Sequence, residues 1–282
     1  MTVGSLLGSL RRQPVIAVAA IVAAVLLILA VAYPLLTHVD PNGSQLRLRL
    51  QPPSWLGGEG LLGTDQLGRD LWTRILFGLR TSFLVSIGAC VVGAVVGTAV
   101  GLAAGYFGGK LDAVLMRITD IQLSFPALLL AMLVVGLLGK GIWLLVLILG
   151  LSTWMIFARV IRSAVLQIRS TELVVSSTSI GATRTRIVLR HVLPNVLGPL
   201  AALVALEFAR IMLAEASLSF LGFGVEPPGI SLGAILAGGR DYLQSQWWIA
   251  TFAGLFLALA VLSTNLVGSW LQRVVDPTRV TT

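Results

Sequence analysis

Three charged side chains, Glu207, Arg210 and Glu215, interrupt a largely apolar stretch over residues 193–221. A charge near the middle of a membrane costs about 2.5–3.5 kcal/mol, so such residues face a protein interior or a water-filled cavity by default. Glu207 and Arg210 are three residues apart, and on a helix they can form an ion pair. Two interpretations follow: the charges belong to a pathway or gate, or they form a structural ion pair between subunits, with Glu215 at the outer membrane interface.

Other residues that commonly carry chemistry are sparse. The chain has one cysteine, Cys90, inside an apolar run, and two histidines, His38 and His191, that are far apart in sequence. It lacks the Gly-x-x-x-x-Gly-Lys-Ser/Thr motif, so it cannot bind ATP in that way. A membrane enzyme would need Asp, His or Glu clustered near one face, and none is found. We therefore expect no catalytic residue, no metal site and no cofactor in this chain.

Five glycines recur at every fourth position of one apolar stretch, and an alanine occupies the preceding step: Ala89, Gly93, Gly97, Gly101, Gly105 and Gly109. Residues four apart share one face of a helix. In lipid, such a face lets another helix backbone come close and gain van der Waals contact. The repeat predicts tight helix packing, within the chain or against a partner; a conduit lined by backbone is the alternative.

The composition predicts the class of protein that carries these residues. Of 282 residues, 56% are hydrophobic and 11% are charged, whereas a soluble domain carries about 25% charged residues. The chain is therefore expected to be an all-α, polytopic membrane protein. Runs long enough to span a membrane predict six transmembrane helices, over 15–36, 81–109, 121–139, 141–158, 193–221 and 242–272.

The first run could be a signal peptide, but it is longer than the 7–15 apolar residues typical of one. Six helices place both termini on one side, which the positive-inside rule makes cytoplasmic. The inside then holds 12 basic and four acidic residues, and the outside seven basic and six acidic residues. This asymmetry accounts for the net charge of +8 without nucleic acid. The predicted regions are an N-terminus over 1–14, a first helix over 15–36, an outer loop over 37–80, a core over 81–272 and a tail over 273–282.

A cytoplasmic loop over 159–192 contains six arginines and one acid. Residues 171–181 and 182–191 each predict a short helix, with Gly181 as the stop between them. Pro194 is expected where the chain returns into the membrane. Such a helical elbow can fit a groove on a soluble partner and transmit its motion; a basic loop that faces lipid is the alternative.

This loop resembles the EAA loop of binding-protein-dependent ABC importer permeases. In that pattern Glu-Ala-Ala is followed after three residues by Gly, and about nine residues later by Ile/Leu-x-Leu-Pro. The matching residues are Gly181, Ile187, Leu193 and Pro194, but a Val-Ser-Ser triplet replaces Glu-Ala-Ala, and Glu172 lies three residues before it. The resemblance implies that the loop couples the chain to an ATPase through Glu172, Val175, Ser176, Ser177, Gly181, Ile187, Leu193 and Pro194.

Further motifs resemble the C-type subunit of the dipeptide/oligopeptide/nickel group of these importers. They occur in the family's order over roughly residues 10–279. The matching segments are 62–70, 108–117, Ser124-Phe-Pro126, Trp154, Ala158-Arg159, Arg162, 215–224, Pro227-Pro228, Trp247-Trp248, Asn265-Leu-x-Gly268 and Asp276-Pro277.

The resemblance implies the fold of a type I ABC importer permease with cytoplasmic coupling helices, in a bacterial cytoplasmic membrane. It also implies partners: a homologous second permease, two ATP-binding subunits (or one fused) that hold ATP and Mg, and an extracytoplasmic substrate-binding protein. Short peptides are the expected substrate, and nickel or a nickel chelate is the alternative. A secondary transporter, the alternative from another class, should show internal repeats, and none is convincing here.

Overall fold

The structure is a computed structural model that describes residues 13–37, 39–171 and 182–275. Over these residues the regular elements are helices, and the one β-bridge pairs Thr64 with Asp70. The predicted all-α class is confirmed. Residues 1–12 of the predicted N-terminus and 276–282 of the predicted tail lie outside the described ranges.

Ten α-helices follow one another along the described residues. They are α1 (Pro14–Leu36), α2 (Leu71–Phe107), α3 (Gly109–Leu123), α4 (Ala127–Leu138), α5 (Ile142–Leu151), α6 (Trp154–Arg169), α7 (Arg184–Ile187), α8 (Leu193–Phe220), α9 (Leu232–Gly239) and α10 (Trp248–Val275). A π-helical turn over Val188–Val192 joins α7 to α8. Short 3-10 turns occupy Leu46–Leu48, Ser54–Leu56 and Arg240–Tyr242.

Within the described part of the chain, five helices are long and apolar enough to cross a membrane, and a bent pair gives a sixth. The five are Pro14–Leu36, Leu71–Phe107, Ile142–Arg169, Arg184–Phe220 and Trp248–Val274, and the bent pair is α3 with α4. The fold is therefore that of a polytopic membrane protein with up to six spans.

The second span begins ten residues before its predicted start at residue 81. The carboxylate of Asp70 accepts a hydrogen bond from the backbone N–H of Thr73 at 2.8 Å, which caps the N-terminus of α2. Arg74 and Arg80, which were assigned to the outer loop, therefore lie on the helix. Sequence hydropathy missed this start because the first ten helical residues carry the two arginines.

The third span, predicted as a single run over 121–139, is a bent pair of helices. The axes of α3 and α4 differ by 82° at the break between them. Pro126 stands at this break; it lacks a backbone N–H and disfavours helical geometry at the preceding residue, Phe125. The 12 residues of α4 extend only about 18 Å, short of the roughly 30 Å hydrocarbon core.

The predicted second short helix of the cytoplasmic loop, over 182–191, is not a separate element. It continues through the π turn into α8, so that Arg184–Phe220 forms one span of 37 residues. The backbone N–H of Leu193 donates to the carbonyl of Val188 across this turn. The wider turn precedes Pro194, whose missing N–H prevents a regular α-helical hydrogen bond there.

Two hydrophobic clusters meet at α2 and α8, which makes these the central helices. One cluster packs α1, α2, α8, α9 and α10 around Leu26, Leu71, Ile75, Leu79, Met212, Leu232 and Trp248. The other packs α2, α4, α5 and α8 around Val85, Ala131, Leu145, Ile211 and Leu218.

The glycine repeat of α2 lies against the backbone of α6. A Cβ atom built on Gly97 would overlap the carbonyl oxygen of Trp154, and one on Gly101 would lie 2.7 Å from that of Ala158. A Cβ on Gly105 would come 3.0 Å from the Arg162 carbonyl oxygen. Because real Cβ contacts are essentially never closer than 3.0 Å, only glycine fits this interface at the observed spacing.

The same face continues towards α5 but ends before Gly109. The fully buried Ala89 and Gly93 contact the region of Gly150, whose own added Cβ would lie 2.9 Å from the Ala89 carbonyl oxygen. The inclusion of Gly109 in the packing face was wrong. α2 ends at Phe107, Gly109 has a φ of +60° at the start of α3, and a Cβ there would meet nothing within 4 Å.

We predict that Gly97→Ala destabilises the protein by about 1–3 kcal/mol, the usual cost of overpacking a tight contact. Gly136→Ala is the matched control, since an added Cβ there would lie 3.8 Å from Phe223. Both changes raise helix propensity equally. Thermal unfolding of the purified subunit should show a lower midpoint for Gly97→Ala alone; equal midpoints for the two variants would contradict the close contact.

Candidate functional site

Glu215 lies in a sealed polar contact that joins three segments of the bundle. The hydroxyls of Ser82 on α2 and Ser219 on α8 each donate to its carboxylate at 2.7 Å. Ser231, which caps α9, lies beside the same carboxylate. Glu215 is fully buried inside the chain. Its contacts make it a structural tie between α2, α8 and α9.

Glu207 and Arg210 form the ion pair that their spacing predicts, with Arg210 Nη1 donating to Glu207 Oε1 at 3.1 Å. The two partners differ sharply in exposure: the Glu207 side chain is 2% exposed and that of Arg210 is 72% exposed. The carboxylate therefore faces the bundle, while the guanidinium projects from it. This arrangement presents hydrogen-bond donors and positive charge at the surface of α8.

Two cavities adjoin at this ion pair. The larger, about 420 Å³, lies between α8 and α10, and Leu203, Leu206, Leu213, Val261 and Asn265 contribute to its wall. The smaller, about 180 Å³, lies between α8, α4 and the junction of α5 with α6, and Leu128, Ser152, Thr153 and Ala214 line it. Glu207, Arg210 and Ile156 line both. The Arg210 side chain thus stands at the partition between them.

A break in the fourth span provides polar atoms beside the smaller cavity. α5 ends at Leu151 and α6 begins at Trp154, so the Leu151 carbonyl loses its regular helical partner. The amide of Gln122 donates to that carbonyl at 2.5 Å, and its oxygen accepts from Trp154 Nε1 at 2.7 Å. Backbone polar groups at membrane depth need such internal partners, and Gln122 supplies one from α3.

Two ion pairs join α6 to α3. Arg162 donates from Nε and Nη2 to the two carboxylate oxygens of Asp112 at 2.5 and 2.6 Å. Arg159 pairs with Asp120 two turns further along α3. The bidentate geometry fixes orientation as well as distance. These contacts hold α3 against the middle of α6.

The predicted coupling residues are only partly described. Ile187 is buried with Ile161 and Val165 of α6, whereas Pro194 is exposed at the start of α8 and Leu193 is half-buried. The remaining predicted positions lie outside the described residues: Glu172, Val175, Ser176, Ser177 and Gly181. The buried contact of Ile187 ties the α7 end of the long fifth span to α6.

The 62–70 motif organises the outer loop around Asp65. This carboxylate accepts from the backbone N–H of Leu67 and Arg69, and pairs with Arg69 Nε at 2.7 Å and Arg74 Nε at 3.3 Å. Trp248 Nε1 donates to the Thr64 carbonyl at 3.2 Å. The loop is thereby fastened to α2 and α10, which gives this end of the bundle a defined shape.

Sequence reasoning did not pair several residues that the structure brings together. No sequence pattern marked Ser82 or Gln122 as a contact residue, because isolated polar residues occur in apolar runs for many different structural reasons. Asp112 and Asp120 were treated only as topological charges. Their opposite sign to the arginines of α6 was the available clue, but the choice of partners requires the helix arrangement.

Comparison with known proteins identifies relatives of the chain. The family model described as "Binding-protein-dependent transport system inner membrane component" matches residues 97–280. A putative peptide transport system permease protein of Brucella suis is 38% identical over 253 residues, which cover 90% of this chain and 84% of the relative. The di/tripeptide transport system permease protein of Pseudomonas aeruginosa is 36% identical, covering 86% and 82%.

The oligopeptide transport system permease protein of Haemophilus influenzae is 35% identical, covering 78% of this chain and 71% of the relative. A solved structure of the MetNI methionine ABC transporter in an inward-facing conformation superposes with a TM-score of 0.60 at 22% identity. It covers 73% of this chain and 98% of the MetNI chain. At that identity the match shows the shared fold, and it agrees with the predicted importer-permease architecture.

We predict that Glu215→Leu lowers the thermal midpoint of the purified protein by several degrees, because it leaves the buried Ser82 and Ser219 hydroxyls without their acceptor. An unsatisfied buried group costs about 1–3 kcal/mol. Glu215→Gln keeps one acceptor oxygen, so its thermal midpoint should fall less than that of Glu215→Leu. Ser217→Ala, two residues away on α8 and outside this contact, serves as the control. A midpoint for Glu215→Leu equal to that of the control would show that the contact is dispensable.

Proposed function

The chain belongs to the family of binding-protein-dependent transport system inner membrane components, and from this we propose that it is the permease subunit of an ATP-driven importer of short peptides. The observation that carries the substrate class is the set of relatives above, each 35–38% identical over most of the chain and named for peptide transport. Nickel import is not favoured by these relatives. Family membership also argues against a secondary transporter.

In this proposal the chain does no chemistry of its own and forms one half of the translocation path. A homologous second permease supplies the other half. ATP and Mg bind to two ATP-binding subunits (or one fused), and an extracytoplasmic binding protein delivers the peptide. The absence of a nucleotide-binding motif from the sequence supports this division of labour, and the fastened outer loop around Asp65 offers a stable surface for the binding protein.

Coupling is proposed to run through the cytoplasmic loop to the centre of the membrane. From Arg184 to Phe220 the chain is one helical span of 37 residues, about 55 Å long at 1.5 Å per residue. Ile187 packs against α6 at its lower end, and Arg210 lies further along the same span. A tilt imposed at the loop would therefore move the Glu207–Arg210 ion pair directly.

The proposal is tested with the complete complex reconstituted in proteoliposomes. Radiolabelled di- and tripeptides should accumulate only when ATP and the binding protein are both present, because this chain lacks its own energy source. Excess unlabelled peptide should compete, and nickel salts should not. Nickel accumulation without peptide accumulation would overturn the substrate assignment, and peptide uptake without ATP would overturn the mechanism.

In the proposed orientation, the protein lies in the bacterial inner membrane with both termini in the cytoplasm. In a Cys90→Ala background, we expect a membrane-impermeant maleimide to label Ser54→Cys in intact cells, since Ser54 is an exposed residue of the outer loop. Ser176→Cys in the cytoplasmic loop should react only after permeabilisation. The background variant without added cysteines controls for other reactions. Labelling of Ser176→Cys in intact cells would reverse the orientation.

A further inference from the structure

Arg210 lies well inside the long helix α8. Phe220 ends the helix ten residues later, which places Arg210 about 15 Å from that end. With the end of α8 taken as the boundary of a hydrocarbon core roughly 30 Å thick, this distance corresponds to mid-depth. A charge there faces protein or water, and the 72% exposure of the side chain in the single subunit shows that its surroundings lie outside this chain's own core.

The exposed partner of the ion pair carries hydrogen-bond donors, whereas the buried partner carries the acceptor. A guanidinium has five N–H donors, and one hydrogen bond, to Glu207, is found for it among the described residues. The Glu207 side chain is 2% exposed, and its Oε1 already accepts a hydrogen bond from Arg210. Among the described residues that line both cavities, these two are the only charged ones. The site therefore discriminates in favour of an anionic group.

We propose that Arg210 is a carboxylate-binding subsite of the translocation path, which receives the C-terminal carboxylate of a peptide in transit. Glu207 is its positioning residue, since it holds the guanidinium at the partition between the two cavities. The inference rests on the proposed function, peptide import, and adds the group of the substrate that the path recognises.

The physical reason why the path would need a carboxylate-binding group is desolvation of the peptide. A carboxylate that leaves water for apolar surroundings loses a large hydration free energy unless a partner compensates, and charge-assisted hydrogen bonds from arginine compensate best when they are bidentate. The larger cavity, about 420 Å³, falls in the range of about 300–1,000 Å³ typical of small-ligand sites. An acidic side chain of the second permease is the competing partner for the guanidinium, and the test below separates it from a peptide carboxylate.

The test compares a tripeptide with its C-terminal amide in the reconstituted complex. The peptide is chosen by calorimetry so that both forms bind the binding protein, and both are supplied at saturation. Arg210→Gln should lower free-acid uptake about tenfold or more, the usual scale for a hydrogen bond to a charged group, and lower amide uptake less than about twofold. Arg210→Lys, which keeps the charge, should retain much of the free-acid uptake.

Arg117→Gln removes an exposed arginine of α3 that lines neither cavity, and it should leave both rates unchanged. Equal loss of free-acid and amide uptake in Arg210→Gln would assign Arg210 to a structural ion pair with the second permease and overturn the inference. Unchanged uptake of both would overturn it as well. A wild-type complex that imports neither peptide would instead refute the proposed function.

Discussion

Close contact between two helix backbones is the constraint on which the rest of this bundle depends. Lipid provides no hydrophobic drive that pulls helices together, so their association depends on van der Waals contact and on polar ties. Gly97, Gly101 and Gly105 let α2 approach α6 until a single methyl group would no longer fit. α2 also packs in both hydrophobic clusters, as does the central helix α8. The contact of α2 with α6 therefore also sets the position of α8 in this frame of helices.

The charges of α8 take opposite roles because the frame buries them to different extents. Glu215 faces Ser82 across the α2 contact and is sealed there by hydroxyl donors, so its cost of burial is offset inside the chain. Arg210 pairs with Glu207 but projects from the bundle, so most of its guanidinium lies outside the chain's own core. Two residues that look alike in sequence, as charges in an apolar run, are thus a structural tie and a surface group that other molecules can reach.

Breaks and continuity in the helices fit the mechanical role of a coupled subunit. The third span bends by 82° near Pro126, and the fourth is interrupted at Ser152 and Thr153 beside the smaller cavity. The fifth span, by contrast, continues without a loop from Arg184 to Phe220. A continuous helix transmits displacement along its axis, whereas broken neighbours can adjust around it, so in the proposed mechanism motion of the loop before α7 would be focused on α8.

The sequence by itself determined the all-α membrane class, the approximate spans and the glycine face. Hydropathy, charge asymmetry and a four-residue repeat are local properties, and in a membrane they decide directly which segments are helices and which face of a helix packs. The sequence also determined that Glu207 and Arg210 can pair, since their spacing on one helix is fixed. Only the tertiary structure decided that α2 starts at Leu71, that Gly109 lies outside the packing face, and that Ser82 is the partner of Glu215. Those features depend on which faces of distant segments meet, and the choice of partner segment has no signature in the order of residues along one chain.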